Sequence, residues 1–119
     1  MKKEDVIKKS MEFDDIIKNN NYVKDNNYII YYRNNNLKNR FGISVGKKIG
    51  NAVTRNYYKR VIRNICDINK NIYSNNKDYI IIMRKGCINL SFKEKNDSFI
   101  SLIKKIQNKE KDLKNEKED

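Results

Sequence analysis

The stretch NAVTRNYYKRVIRN, residues 51–64, places Arg55, Lys59, Arg60 and Arg63 within nine positions. The chain holds six arginines against 21 lysines, so half of its guanidinium groups lie on this one segment. A guanidinium is a planar fork that grips a phosphate through two parallel hydrogen bonds, a geometry that an ammonium lacks. No Asp or Glu stands three or four positions from Arg55, Lys59 or Arg60, so pairing along a helix is not their purpose. Just upstream, Lys47 and Lys48 sit between Gly46 and Gly50, where a bent backbone can offer amide groups to phosphate near the start of a helix. The chemistry open to such a set is to hold a polyanion.

Other chemistries are closed by what is missing. With no histidine in the chain, serine and cysteine triads, His-ligated zinc and His-based acid–base catalysis are excluded. A nuclease working through its own metal ions needs clustered carboxylates, yet no acid lies between Asp25 and Asp67. The segment GISVGKKI is not a phosphate-binding P-loop, because three residues rather than four separate Gly42 from Gly46 and Lys48, not Ser or Thr, follows Lys47. Cys66 and Cys87 match no metal-ligand spacing or disulfide framework and read as buried free thiols.

A net charge of +12 on 119 residues, with a pI near 9.7, suits nucleic acid or an acidic membrane surface. Its distribution says more than its size. From Asn26 to Cys66 there are nine Lys or Arg residues and no acid, whereas the rest of the chain mixes both signs. No run of 18 apolar residues and no apolar leader segment is present, so the expectation is a soluble cytoplasmic protein with no membrane partner.

These cations need a scaffold. Ser10 is placed to cap a helix over 11–19 with Phe13, Ile16 and Ile17 as its apolar stripe, ended by the asparagines at 19–21. YVK at 22–24 and YIIYYR at 28–33 read as strands, the second with Ile29 and Tyr31 on one face and Tyr28, Ile30 and Tyr32 on the other. RFGISV at 40–45 reads as the next strand, and the Asn-rich turn before it predicts an antiparallel hairpin with YIIYYR. A helix over 51–73 follows. With Arg55 as origin, Lys59, Arg63, Asn56 and Arg60 fall between about 40° and 140°, while Tyr58, Val61, Ile62, Ile65, Ile68 and Ile72 occupy roughly 220–340°. One face can then enter a core while the other presents cations, and with its apolar arc committed inward the helix is poorly suited to a membrane surface.

DYIIIMRK at 78–85 reads as a buried strand reached by a βαβ connection. Ser91 and Glu94 form a capping box for a last helix with Phe92, Phe99, Leu102, Ile103 and Ile106 inward. The division is one RNA-binding domain over 1–108 and a charged tail over 109–119 that frays or continues as solvated helix. The order α-β-β-β-α-β-α defines an α+β sandwich, and exposed strand tyrosines offer stacking surfaces for unpaired bases.

RFGISVGKKIGNAVTRNYYKRVIRN closely resembles the signature region of the bacterial ribonuclease P protein subunit, whose arginine-asparagine-arginine motif matches Arg55, Asn56, Lys59, Arg60 and Arg63. The likeness extends from KKSMEFDDIIK through YIIYY and DYIIIMRK to the last helix. It implies a mixed four-stranded sheet with three helices and a left-handed βαβ crossover, against the usual hand. It also implies that a partner RNA carries out magnesium-dependent removal of the 5′ leader from precursor tRNA, with no catalytic side chain and no obligatory protein partner required of this chain. Lys47, Lys48 and the motif residues would face the catalytic RNA. Phe13, Ile17 and Tyr31, with Lys47, Arg84 and Lys85 for backbone contacts, would line the cleft for the leader. Ile17 stands where an aromatic residue is common, Asn20 where a glycine often ends the first helix, Gly46 where serine or a basic residue is common, and Asn64 where an acid or amide is usual. A ribosomal or RNA-assembly protein would share the basic helix without promoting cleavage.

Overall fold

Alternation along YIIYYRN organises the molecule: Tyr28, Ile30 and Tyr32 are buried, while Ile29, Tyr31 and Arg33 are only partly covered. One side of the sheet is therefore packed and the other largely open. The structure, a computed structural model, describes residues 1–8 and 10–118, with side chains as far as Leu113. Its elements are α1 (Ser10–Lys18), β1 (Tyr22–Lys24), β2 (Tyr28–Asn34), β3 (Arg40–Ser44), α2 (Ala52–Ile68), β4 (Lys77–Met83) and α3 (Phe92–Glu118). This is the expected α+β order. Ser10 is the first helical residue rather than the cap, and position 9 before it lies outside the described residues. The segment expected as a tail continues α3 as helix to Glu118, and residue 119 lies outside the described residues.

The four-stranded sheet has the order β1-β2-β4-β3. β1 and β2 form the antiparallel hairpin, β2 pairs antiparallel with β4, and β3 pairs parallel with β4. The predicted β2–β3 hairpin is thus not formed. β4 takes the place between them because its KDYIIIM sequence is buried at every position but Ile82, and a strand apolar on both faces belongs in the middle of a sheet. The Asn-rich connection after β2 is fitted to that insertion. The Asn35 backbone amide donates to the Asn76 carbonyl at 2.8 Å, and its side-chain amide reaches Lys38 O at 2.8 Å and Asp78 Oδ1 at 2.7 Å.

On the packed side, Tyr28, Ile30, Phe41, Tyr79, Ile81 and Met83 of the sheet meet Ile62, Ile65 and Cys66 of α2 and Phe99, Leu102, Ile103 and Ile106 of α3. Phe92 does not join them and is 45% exposed, because it occupies the first turn of α3, ahead of where the helix meets the sheet. On the open side α1 covers only part of the strands, burying Ile16 and Ile7 on Ile80 with Phe13, Tyr31 and Ile82 at the margin. Close approach there depends on Gly42, since a Cβ at this position would lie 2.6 Å from Phe13 Cζ and 2.8 Å from Ile80 Cδ1. Asn20 ends α1 in the left-handed region, φ 57°, a conformation that asparagine tolerates better than most residues.

Candidate nucleic-acid interface

α2 begins cleanly, with the Asn51 side chain accepting from the Thr54 amide at 2.9 Å. It ends at Ile68, earlier than the predicted 73, where Asn69 is buried and its side-chain amide donates to Ile65 O and Asn96 Oδ1. The phase of burial also differs from expectation. Ile62, Ile65 and Cys66 are buried but Ile68 is 54% exposed, so the buried arc is rotated toward Cys66, at about 20° from Arg55. Arg55 and Lys59 consequently flank the core and are half-buried, while Asn56, Arg60 and Arg63 are exposed.

Among the described residues, none of these four cations makes a salt bridge. Asp67 lies one turn beyond Arg63, the one acid within reach by helix spacing, yet its carboxylate binds the N-terminal amine at 2.9 Å instead. Arg55 Nε is buried with no hydrogen-bond partner. A buried donor without an acceptor is costly.

The other basic residues of the acid-free stretch behave differently. Arg33 and Arg40 are tied to Asp78 of β4, with Arg33 Nε 2.9 Å from Oδ2 and Arg40 Nε 2.8 Å from Oδ1. Arg40 also reaches Glu12 of α1 at 3.2 Å, and Lys38 pairs with Asp5 at 2.9 Å and Glu4 at 3.3 Å. Burial alone would push the Asp78 carboxyl up, but hydrogen bonds from Arg40, Arg33 and Asn35 override it and hold the group below its usual range. Three of the nine cations are therefore structural, and the acids that neutralise them come from outside the stretch.

Register sets out the open face of the sheet. Tyr22, Tyr31, Ile80 and Gly42 lie across it in one row, and Lys24, Ile29, Ile82 and Ser44 in the next. Phe13 lies over Gly42 and beside Tyr31, and the Tyr31 ring meets Tyr22 at 5.4 Å between centroids. Ile17 is half-buried on α1 outside this apolar cluster. Beyond Ile82 the sheet opens into a groove of about 980 Å³ between the ends of β3 and β4, lined by Lys47, Lys48, Arg84 and Lys85 together with Ser44 and Ile49. Arg84 is steadied there by donating to Asp25 O at 2.6 Å. Gly46 lies in open space, with nothing near its missing Cβ.

The structure thus gathers Phe13 and Tyr31 on one face and Lys47, Lys48, Arg84 and Lys85 in the groove continuous with it through Ile82. Tyr22 was missed, although buried Val23 beside it signals by alternation that Tyr22 shares a face with Tyr31. The Arg33–Asp78–Arg40 cluster had no local signal, because its members are far apart in sequence.

Fold and site define a class: a small α+β protein that exposes on one side a helix whose four cations pair with no carboxylate among the described residues, and on the other a partly covered aromatic sheet. The family model described as Ribonuclease P matches residues 1–107. The Ribonuclease P protein component of Mycoplasma mycoides is 47% identical over 109 residues, covering 90% of this chain and all of that protein. Its Bacillus cereus counterpart is 36% identical over 107 residues, covering 88% and 93%. Among solved structures, the RNase P protein of Staphylococcus aureus superposes with a TM-score of 0.74 at 34% identity, covering 84% of this chain and 93% of the other. That of Thermotoga maritima gives 0.77 at 26% identity, covering 83% and 94%. The chain belongs to the ribonuclease P protein family.

Proposed function

We propose that this chain, as the protein component of ribonuclease P, seats the catalytic RNA on the α2 face and holds the single-stranded 5′ leader of precursor tRNA along the open sheet. The observation that carries the reading is the set Arg55, Lys59, Arg60 and Arg63, unpaired on one helix while neighbouring arginines are neutralised by Asp78. Lys47 and Lys48 extend this charge to the sheet edge. Phe13 and Tyr31 offer rings to leader bases, Ile17 an apolar contact, and Lys47, Arg84 and Lys85 hold its backbone. Fixed positive charge where RNA strands converge raises substrate affinity and lessens the need for screening by magnesium.

The magnesium of the reaction goes with the RNA. A hard divalent ion takes oxygen ligands, whereas both proposed surfaces offer cations, amides and rings. Among the described residues no group of three Asp, Glu, Cys or His side chains could hold a metal ion. The chain's part is to bind and orient, and its place is the bacterial cytoplasm. Among the described residues no helix is long and apolar enough to cross a membrane.

Reconstitution tests the reading. Mixed with a bacterial ribonuclease P RNA at limiting magnesium, the protein should accelerate 5′ processing of precursor tRNA, and Arg60→Ala/Arg63→Ala should lose most of that gain. RNA binding without any gain in cleavage would instead favour a ribosomal or RNA-assembly role.

A further inference from the structure

Past Arg60, α2 turns an apolar stripe to solvent. Val53 is 79% and Tyr57 55% exposed, and with half-buried Val61 they recur at four-residue spacing along one edge of the helix. Phe92 at the start of α3 is the neighbouring exposed ring. Tyr57, Arg60, Val61, Asn64 and Phe92 line one shallow groove between the two helices. In a chain of net charge +12 and mean hydropathy −0.94, two aromatic side chains left in one groove mark a contact surface.

The Tyr57 ring, and the backbone that carries Phe92, are held in place before any partner arrives. Tyr57 stands edge-on to Tyr58, with centroids 5.2 Å apart and planes at 69°, and Tyr58 in turn packs on the core. Phe92 sits in a helix start closed by reciprocal bonds, Ser91 N to Glu94 Oε1 at 3.0 Å and Glu94 N to Ser91 Oγ at 3.1 Å. The polar groups of the groove are one guanidinium, one carboxamide and the Tyr57 hydroxyl, with no carboxylate among its lining residues. Arg60 belongs both to the cationic face and to this rim, which makes the two surfaces continuous.

We propose that the groove receives one unpaired nucleobase of the RNA lying along α2, stacked on the Tyr57–Phe92 pair, with Arg60 on the adjoining phosphate and Asn64 at the base edge. The inference rests on the reading of α2 as an RNA seat and adds a base-contacting site to it. Every base has a face that stacks on an aromatic ring, worth a substantial part of single-strand affinity, and a carboxamide supplies the donor and acceptor that base edges match. A second copy of this chain would bring its own +12 charge to a cationic rim.

The test compares full-length wild type with Phe92→Ala, Phe92→Leu and Phe92→Trp in binding to a bacterial ribonuclease P RNA across a salt series. Phe92 lies outside the core, so all four should melt alike. Ala and Leu should weaken binding by about fivefold to a hundredfold with the salt slope unchanged, and Trp should retain wild-type affinity. If Leu or Ala binds as wild type does while wild type shows steep salt dependence, the stacking site is wrong and the RNA seat stands. If wild type shows no salt-dependent binding, the RNA seat itself fails. A wild-type dimer that Phe92→Ala dissociates, with RNA affinity unaltered, would assign the groove to self-association and overturn the proposal.

Discussion

Exchanging arginines on opposite sides of the molecule separates charge that is free from charge that is already paired. Arg60 and Arg63 are exposed and make no salt bridge, while Arg33 and Arg40 both bind Asp78. Each phosphate neutralised by a free cation contributes about 0.7–0.9 to the slope of log affinity against log salt. Arg60→Gln/Arg63→Gln should therefore flatten that slope by about 1.4–1.8. Between 50 and 200 mM salt, a fourfold change, the fall in affinity should shrink by about 7- to 12-fold relative to wild type. Arg33→Gln/Arg40→Gln should leave the slope where it was and lower the unfolding midpoint in urea instead. The assay is a filter-binding titration against a bacterial ribonuclease P RNA, with each protein's melting curve recorded alongside. Equal flattening by both pairs would refute the division of the basic stretch into structural and RNA-facing charges.

Asp78→Ala should destabilise the fold by about 3 kcal/mol, the lower end for breaking a buried ion pair, because the two arginines it abandons keep some solvent contact; urea unfolding measures it. The same carboxylate is held below its unfolded value of about 3.9, so its stabilisation is complete above that pH and is lost as pH falls through the lower folded value, an acid limb that the alanine variant should lack. Gly42→Ala should cost about 1–3 kcal/mol by forcing the Phe13 ring off the sheet, and like Tyr31→Ala it should weaken binding of leader-bearing precursor far more than that of mature tRNA. Cys66, whose thiol burial pushes up to about 12, should resist iodoacetamide at pH 8 until the protein is unfolded, as mass spectrometry would show.

Local patterns in the sequence carried most of the elements. Alternation in YIIYYR divided its five apolar residues correctly between the two faces, and the spacing from Phe99 to Ile106 set the inner side of α3. What failed was long-range. The turn after β2 looks like a hairpin connection, and nothing local reveals that the strand most apolar on both faces, 43 residues further on in the case of Asn34 and Lys77, will slip between β2 and β3. The α2 arc was drawn from its tyrosine, valine and isoleucines without the cysteine, so it admitted exposed Ile68 and left out buried Cys66. Counting the acid-free stretch by sequence likewise placed Arg33, Lys38 and Arg40 among nine unneutralised cations, when carboxylates distant in the chain pair with them.

The topology explains how two proposed surfaces on opposite sides of one sheet can serve one RNA assembly. Ser44 ends β3 on the open face, Val45 turns into the core, and Asn51 already caps α2. Six residues separate Ser44 from Asn51, a span of at most about 25 Å. Lys47 and Lys48 occupy this crossing, exposed, with Arg84 and Lys85 beside them because parallel strands β3 and β4 end at the same edge. Cations therefore run without an intervening carboxylate from the aromatic sheet, around its edge, to the start of α2. In the proposed assembly, a phosphate backbone leaving the open face would meet the same charge that the helix offers to the catalytic RNA, and the short crossover limits the distance between the two. On the proposed function, lysine suits this bend, where leaders of varied sequence would pass, while arginine's planar fork suits the helix, where one RNA surface would be held in one geometry.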